Sequence, residues 1–380
     1  MKKLLVKNIG LLATPEGKSA HRGEEQGKIK FLKDAWVLIE DGIIASVGTG
    51  AVPAVEGAEV VDAEGHLVTP GLVDAHTHLI FGGWRQNELG LKLHGASYLD
   101  IQNAGGGIQS TTNATRQASE QELAAKASKA LEVIKDLNDH HRMDLVATFM
   151  GAHLVPAEYK SNREEYVRLV CEEMMPKVKE QGIAKFCDVF CEADTFTVEE
   201  SRQVLEAGLK YGLRPKIHAD EIEAIGGSQL AGEIGAISAE HLIVCPPEGI
   251  ASMAKGGVIA CLLPATSFNL GAVFAPARDM VKAGVPVAMA TDFNPGSCPC
   301  LNMQFVINLG CLKYKLTPEE VLTAVTLNGA AAIDLADKVG SVEEGKLGDL
   351  VIWDAPDLDY ICYRVGSNLA KTVIKRGEIV

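Results

Sequence analysis

The middle of the chain alternates short apolar runs with segments of amphipathic helical pattern. Seven of the apolar runs are nearly continuous, as in parallel strands that are covered on both faces: LVTPGLVDAHTHL, DLVATFMGAH, AKFCDVFCE, LRPKIHADE, AISAEHL, GVIACLLP and PVAMATDFN. Helix starts between them are indicated by three capping boxes and one proline at the first helical position: Ser119 with Glu122, Ser161 with Glu164, Thr197 with Glu200, and Thr317 before Pro318 and Glu320. This alternation predicts an α/β fold built on a (β/α)₈ TIM-like barrel.

Both ends of the chain have a different pattern, in which short strand-like runs are separated by Gly and Asp. The runs are LLVKNIGLLA, DAWVLIEDGIIASVG and AEVVDAEGHLVT near the start, and GKLGDLVIWDAPD and LAKTVIKRGEIV in the tail. We therefore predict that residues 1–68 and 339–380 form one small β-sandwich domain, and that residues 69–338 form the barrel.

Composition restricts the partners and the compartment. The chain has 380 residues with a net charge of −14, which argues against nucleic acid and anionic membranes as partners. Lys7 and Asn8 interrupt the first apolar stretch, so it does not resemble a signal peptide, and no window approaches the ~18 apolar residues of a membrane helix. Nine scattered cysteines are typical of reduced thiols. We expect a cytoplasmic protein.

Polar side chains collect where the predicted strands end. They are His76 and His78, His153, Glu192, His218 with Glu221, His241, and Asp292. The carboxyl ends of barrel strands meet at one edge, where active sites lie. A single histidine at a strand end is more often structural. Five of the ten histidines at such ends, together with an aspartate, indicate a divalent metal site of the zinc or iron type.

These motifs carry a resemblance. PGLVDAHTHL, KIHADE, AEHL and ATDFNPGS resemble the amidohydrolase superfamily of metal-dependent barrels. More narrowly, GGGI at 105–108, FMGAHLVPAEY, LLPATSFNLG and ATDFNPGSCP resemble the branch that hydrolyses the imidazolone ring of imidazolone propionate in histidine breakdown. The resemblance extends over nearly the whole chain. It implies His76, His78, His218 and Asp292 as ligands of one zinc or iron ion per chain, and a homodimer. No carboxylated lysine is implied, because its position falls near Glu192.

The resemblance also implies roles for substrate-contacting residues. They are Arg85 and His153, and more weakly Asn294, Gly296 and Ser297. Arg85 follows the two metal-site histidines in FGGWRQNE, which favours a clamp for a substrate carboxylate over a solvated loop arginine. Chemistry adds further roles: Asp292 can accept a proton from water, Glu221 can carry it to a ring nitrogen, and His241 can hold the developing oxyanion.

Two other functions stay open. One is a mononuclear aminohydrolase for a purine, pyrimidine or guanidine-like ring, although 5% aromatic residues offer little stacking surface. The other is a barrel that binds metal but has lost activity.

One barrel strand is missing from the pattern, since seven are counted where a closed barrel needs eight. The segment SEQELAAKASKALEVIKDLNDHHRMD has apolar positions at helical spacing only. In the proteins that the chain resembles, this region holds a second strand and a substrate-contacting tyrosine, whereas no tyrosine occurs here between Tyr98 and Tyr159. We predict a gap or an abnormal join near residues 131–140, with the four metal ligands still converging.

Overall fold

The computed structural model describes residues 2–79, 84–96 and 143–380, together with residues 100, 101, 104, 106, 107, 110 and 111. Within these residues, fourteen strands form two sheets, one from both ends of the chain and one from its middle. Among the sequence predictions, the capping box at Ser119, the position of Tyr98 and the join near residues 131–140 lie outside the described residues.

Strands from both chain ends are hydrogen-bonded into one sheet. Its order is β14-β13-β12-β5-β1-β2-β3, and β4 pairs with β1. The strands are β1 (Lys3–Thr14), β2 (Lys30–Glu40), β3 (Ile43–Thr49), β4 (Glu59–Asp62), β5 (Leu67–Pro70), β12 (Leu350–Trp353), β13 (Ala370–Lys375) and β14 (Glu378–Ile379). The link between the two ends is β5, which pairs parallel with β1 and antiparallel with β12. The boundaries of this domain, at residues 68 and 339, stay predictions.

The central sheet is parallel and follows chain order, from β6 at one edge to β11 at the other. Its strands are β6 (Ala147–Ala152), β7 (Ala184–Cys191), β8 (Arg214–Ala219), β9 (Ser238–His241), β10 (Ile259–Leu262) and β11 (Val287–Met289). Each corresponds to a predicted apolar run. Parallel pairing brings all six carboxyl ends to the same edge of the sheet.

Helices connect the strands and follow them. They are α1 (Leu89–Leu93), α2 (Arg163–Arg168), α3 (Met175–Gln181), α4 (Val198–Lys210), α5 (Gly227–Ile234), α6 (Pro247–Gly256), α7 (Pro264–Leu270), α8 (Ala277–Lys282), α9 (Met303–Leu312), α10 (Pro318–Ala324), α11 (Leu327–Ala332) and α12 (Leu358–Tyr363). A π-helical stretch, Leu169–Met174, joins α2 to α3. No helix among the described residues is long and apolar enough to cross a membrane. All nine cysteines are free thiols.

The first predicted strand is largely wrong. Only Leu67–Pro70 of LVTPGLVDAHTHL is a strand, and it belongs to the terminal sheet. Pro70 has no N–H to donate. The pairing with β12 ends with the bond from the Gly71 N–H to the Asp349 carbonyl, after which the Val73 N–H donates to the Val325 carbonyl instead. The histidine-bearing part then runs beside the end of β11, with one parallel bridge between Thr77 and Phe293. Closure of an eight-stranded barrel stays a prediction.

Two of the predicted helix starts are confirmed. Capping boxes are complete at Thr197, before α4, and at Thr317, before α10. The box at Ser161 is wrong, because α2 begins after Asn162, whose side chain makes no capping hydrogen bond. The first residue of α2, Arg163, instead forms a two-point ion pair with Glu200. A contact with another helix therefore fixes this start, which local sequence does not reveal.

Glycines allow α5 and α6 to pack closely on the outside of the sheet. A Cβ atom on Gly256 would lie 2.4 Å from the carbonyl oxygen of Gly232, and one on Gly232 would lie 2.3 Å from that of Ser252. Backbone atoms cannot move aside as a flexible side chain can. The spacing of the two helices thus depends on these positions having no side chain.

We predict that Gly256→Ala lowers the free energy of unfolding by about 1–3 kcal/mol, the usual effect of overpacking. Gly90→Ala in α1 is the matched control, because a Cβ there meets no atom within 4 Å. Thermal unfolding of the two variants checks this. Equal melting temperatures for Gly256→Ala and the wild type would contradict the close packing.

Candidate metal centre

The four predicted ligands lie together at the carboxyl edge of the central sheet. Donor atoms of His76, His78 and Asp292 lie within 4.8 Å of one another, as do those of His76, His218 and His241. His78 Nε2 is 3.2 Å from both His76 Nε2 and Asp292 Oδ1. The ring centroids of His76 and His218 are 4.7 Å apart. The geometry thus adds His241 to a ligand set from which the sequence interpretation left it out.

Two backbone hydrogen bonds bring three of these residues into register. The N–H of Asp292 donates to the His76 carbonyl at 3.0 Å, and the N–H of His78 donates to the Phe293 carbonyl at 2.8 Å. Residues 76–78 therefore run beside residues 292–293, with Thr77 and Phe293 in a parallel bridge. Because residues two apart in a strand share a face, His76 and His78 point to the same side.

The donor set fits a metal cation. His218 Nε2 is fully buried, and no described group forms a hydrogen bond with it. A buried polar atom without a partner costs about 1–3 kcal/mol, so such an atom in a native site needs a reason. Neighbouring imidazoles and a carboxylate around one point provide that reason, since these are the donors that zinc and iron take in proteins.

The charge states of the cluster also suit a cation. Burial, reinforced by the neighbouring imidazoles, lowers the pKa of His76 and of His218 well below its ordinary value, so both rings are neutral. Burial alone would raise the pKa of Asp292, but contact with His78 and the charges of His241 and His78 lower it to about 2. Neutral imidazoles and an ionised carboxylate are the forms that bind metal. His78 differs, because burial acts to lower its pKa but contact with Asp292 raises it, so a metal bound there would displace a proton from this ring.

Two residues that the sequence analysis missed orient the donors. Asp188, in the middle of β7, lies with Oδ1 2.7 Å from His218 Nδ1. This contact occupies one ring nitrogen and leaves Nε2 for a metal. The Thr266 hydroxyl donates to Asp292 Oδ2 at 2.6 Å and leaves Oδ1 facing the histidines. A carboxylate inside the apolar run AKFCDVFCE was the available signal for Asp188.

Strained backbone also occurs at this edge of the sheet. Asp220, His241 and Asp292, which follow or end β8, β9 and β11, have left-handed φ values of +52°, +69° and +56°. Residues other than glycine seldom adopt this region, at an expense of order 1–3 kcal/mol each. Such strain is typical of functional sites, where it directs side chains that a relaxed strand end would not.

Three further predicted site residues, Glu221, His241 and His153, lie beside the cluster. Glu221 Oε2 lies 3.7 Å from His241 Nε2. Burial raises the pKa of Glu221 to about 8, with the charges of Asp292 and Glu192 acting in the same direction. The ring centroid of His153 is 4.9 Å from that of His218. All three predicted positions are therefore next to the metal-site donors.

Arg85 is not a solvated loop residue, since it is only 8% exposed. Its Nε and Nη2 donate to the two carboxylate oxygens of Glu88, each at 2.9 Å, and Glu88 Oε1 also accepts from the Gly107 N–H at 2.7 Å. The guanidinium lies against Gly296, where a Cβ would come within 2.0 Å of Nη1. Among the described residues, Nη1 has no hydrogen-bond partner.

Many polar groups of the loop after Asp292 form hydrogen bonds with one another. Asn294 Oδ1 accepts the N–H groups of Gly296, Ser297 and Cys298, and Asn294 Nδ2 donates to the Asp292 carbonyl and to Ser297 Oγ. The loop is therefore held rigidly against Arg85. This places Asn294, Gly296 and Ser297 beside the site, with Asn294 directed into the loop itself.

Comparison with known proteins identifies the class. The Amidohydrolase family matches residues 67–380, so the chain belongs to that family. The fold agrees with solved structures at low sequence identity. An adenosine deaminase from Xanthomonas campestris with bound zinc matches with a TM-score of 0.70, at 20% identity, over 100% of this chain and 92% of that one. A guanine deaminase from C. acetobutylicum with bound guanine matches with a TM-score of 0.67, at 17% identity, over 100% of both chains.

Curated relatives narrow the class. An imidazolonepropionase from Alkaliphilus metalliredigens (strain QYMF) is 47% identical over 414 residues, covering 100% of this chain and 98% of its own. Another, from Brevibacillus brevis (strain 47 / JCM 6285 / NBRC 100599), is 46% identical over 415 residues with the same coverage of both chains. Within the amidohydrolases, the chain therefore belongs with the imidazolonepropionases.

The alignment with the Alkaliphilus metalliredigens protein shows that this chain lacks internal positions that the relative contains. It extends over 414 positions where this chain has 380 residues, so at least 34 positions of the Alkaliphilus metalliredigens protein have no counterpart here. A strand with its helix and turn is about that long, given that a whole βαβ unit takes roughly 30 residues or more. The shortfall thus has the size of the strand unit whose absence the sequence pattern indicates.

We predict that His218→Ala loses bound metal, because removal of one donor weakens binding by orders of magnitude. His66→Ala is the control, since His66 lies in the connection between β4 and β5, away from the cluster, and contacts the Ala63 carbonyl. Asp188→Asn should retain the donors but bind metal about 10–100-fold more weakly. Elemental analysis and competition with a chelator measure these effects. Equal metal in His218→Ala and the wild type would remove His218 from the ligand set.

Proposed function

We propose that this protein hydrolyses 4-imidazolone-5-propanoate to N-formimidoyl-L-glutamate, the ring-opening step in histidine degradation. The observation that carries the proposal is the buried cluster of His76, His78, His218 and Asp292, faced by Glu221 and His241. Relatives named imidazolonepropionase, similar over their full length, support the same conclusion. The reaction breaks a C–N bond of a cyclic amide or amidine.

The ligands proposed for the metal are His76, His78, His218 and Asp292. The ion is zinc or iron, one per chain, since imidazoles with one carboxylate suit both. When bound, such an ion lowers the pKa of coordinated water toward ~7 and polarises the ring carbon under attack. His241 shares the cluster, and we propose that it contacts the developing oxyanion rather than serving as a permanent ligand.

Three side chains are proposed to manage protons and charge. Asp292 Oδ1 lies at the centre of the histidine cluster, where it can accept a proton from the attacking water. Glu221 can deliver its own proton to the ring nitrogen that leaves and then take up the proton that Asp292 accepted. Its raised pKa, about 8, means that the acid form is populated at neutral pH, as a proton donor requires. Glu221 Oε2 lies 3.7 Å from His241 Nε2, so the proposed proton donor and the residue proposed to contact the oxyanion lie on the same side of the site.

Recognition of the propionate tail is proposed for Arg85. Glu88 holds two nitrogens of its guanidinium, so Nη1 and the remaining Nη2 hydrogen are available to a carboxylate. Gly296 permits this because any side chain there would displace the guanidinium. We propose that His153 contacts the ring and that Asn294 and Ser297 keep the loop rigid behind it.

We further propose that the protein acts in the cytoplasm as a homodimer on a small-molecule substrate with a carboxylate tail, without nucleic-acid or membrane partners. The net charge of −14 supports the absence of polyanionic partners. It is compatible with an anionic substrate, because a buried arginine acts locally.

The test is ultraviolet monitoring of imidazolone propionate with metal-loaded protein. We expect loss of the substrate absorbance and formation of N-formimidoyl-L-glutamate, with none for His218→Ala. Guanine and adenosine are assayed in parallel by ammonia release. Ammonia release without loss of imidazolone propionate would support the aminohydrolase alternative. Inactivity on all three substrates with metal bound would indicate a barrel that has lost its chemistry.

Arg85→Met should reduce kcat/KM for imidazolone propionate about 10²-fold while leaving metal content intact, because a charge-assisted two-point contact is lost. Arg278→Met is the matched control. Arg278 also forms a two-point ion pair, with Glu320, but outside the site. An unchanged kcat/KM for Arg85→Met would contradict the clamp.

A further inference from the structure

Among the described residues, one buried carboxylate beside the metal centre forms hydrogen bonds with backbone N–H groups and no ion pair with a cationic side chain. Glu192, directly after β7, is 1% exposed. Its Oε2 accepts the N–H groups of Glu221 at 3.0 Å and Ile222 at 2.9 Å. Its Oε1 accepts those of Glu223 and Ala193, both at 2.9 Å. Both oxygens are thus occupied by backbone donors, and three of the four donors are consecutive residues.

The backbone after β8 is shaped to present those donors. Asp220 has a left-handed φ of +52°, and the next three N–H groups point to one side of the turn. Successive N–H groups around such a turn form a concave site for an anion. Here the anion is part of the protein and comes from the neighbouring strand, 29 residues earlier in the chain than Glu221. The carboxylate therefore stabilises a strained turn that has little local support.

The turn carries the residue that the reaction depends on. Glu221 has its N–H bound to Glu192 and its side chain extended toward His241, with Oε2 3.7 Å from Nε2. If the N–H moves, the carboxylate of Glu221 moves with it. Misplacement of a reacting group by about 1 Å can reduce a rate about 10²-fold. A shift of the turn should displace His218 less than Glu221, because His218 lies within β8 and Asp188 contacts its ring.

We propose that Glu192 is a positioning residue that sets the location of Glu221 by binding the backbone of residues 221–223. The inference rests on the proposed function, in which Glu221 transfers the proton. Within the described part of the chain, the hydrogen bonds of the Glu192 carboxylate go to backbone N–H groups and to none of the metal-site donor atoms.

Glu192→Gln tests the proposal with an isosteric change. The amide has one acceptor oxygen, and its NH₂ group faces N–H donors that it cannot accept from. We expect kcat for imidazolone propionate to fall about 10²-fold, with KM within about threefold and metal content unchanged. If Glu192→Gln does not fold, Glu192→Asp retains the charge but shortens its reach, and the same pattern is expected.

A double-mutant cycle separates positioning from general damage. In a Glu221→Gln background, adding Glu192→Gln should lower kcat further by no more than about threefold, because the group that it positions is already inactive. A second full loss of about 10²-fold would overturn the proposal, as would loss of metal in Glu192→Gln. Glu320→Gln is the matched control. Its carboxylate also accepts a backbone N–H, from Thr317, and its loss should lower the melting temperature but leave kcat unchanged.

Amide hydrogen exchange gives a readout that does not depend on activity. The N–H groups of residues 221–223 should exchange faster in Glu192→Gln than in the wild type, whereas those of β8 should not change. Unchanged exchange at 221–223 would overturn the proposal whatever the kinetics show. A normal kcat in Glu221→Gln would instead contradict the role of Glu221 in the proposed function, and faster exchange in Glu192→Gln would still support the backbone contact.

Discussion

Two backbone hydrogen bonds, between residues 76–78 and 292–293, hold the site together. The bond from the Asp292 N–H to the His76 carbonyl and the bond from the His78 N–H to the Phe293 carbonyl join segments more than 200 residues apart in sequence. Without that register, His76 and His78 would still share a face, but Asp292 would not lie opposite them. His218 and His241 reach the same point because parallel pairing of β8 with β9 sends both strand ends to one edge. The metal centre is thus a consequence of strand pairing before any side chain contributes.

Carboxylates placed behind the functional groups do most of the positioning. Asp188 contacts His218, Glu192 binds the turn of Glu221, and Glu88 binds Arg85. Asp74 repeats the arrangement, since it accepts both the N–H and the hydroxyl of Thr291, the residue before Asp292. Asp188, Glu192 and Asp74 are distant in sequence from the residues that they position. Glu88 lies only three residues after Arg85. This explains how loops at a sheet edge can hold side chains as firmly as the strands do.

Sequence patterns predicted the central strands and selected the residues proposed as ligands, because both steps depend on local signals. An apolar run with a histidine at its end can be recognised without knowing what lies beside it. The first predicted strand failed because the apolar run is divided at Pro70 and Gly71. Its first half joins the terminal sheet, whereas its second half, as far as it is described, forms an isolated bridge to Phe293, and apolar character alone cannot show this difference. The box at Ser161 failed for a similar reason, since the ion pair of Arg163 with Glu200 is invisible along the chain. Asp188 was missed because its partner is 30 residues away.

The unfavourable features at this edge of the sheet argue for a bound cation. Left-handed φ values at Asp220, His241 and Asp292, and an imidazole nitrogen of His218 without a partner, all reduce the stability of the folded chain. A fold under no functional constraint could relax each of them by a single substitution. Their coincidence within one cluster is expected when a bound cation repays part of the loss, since binding to the folded state alone adds to its stability. The strained backbone and the neutral imidazoles are therefore two aspects of one requirement, a site organised in advance for a metal and the water beside it.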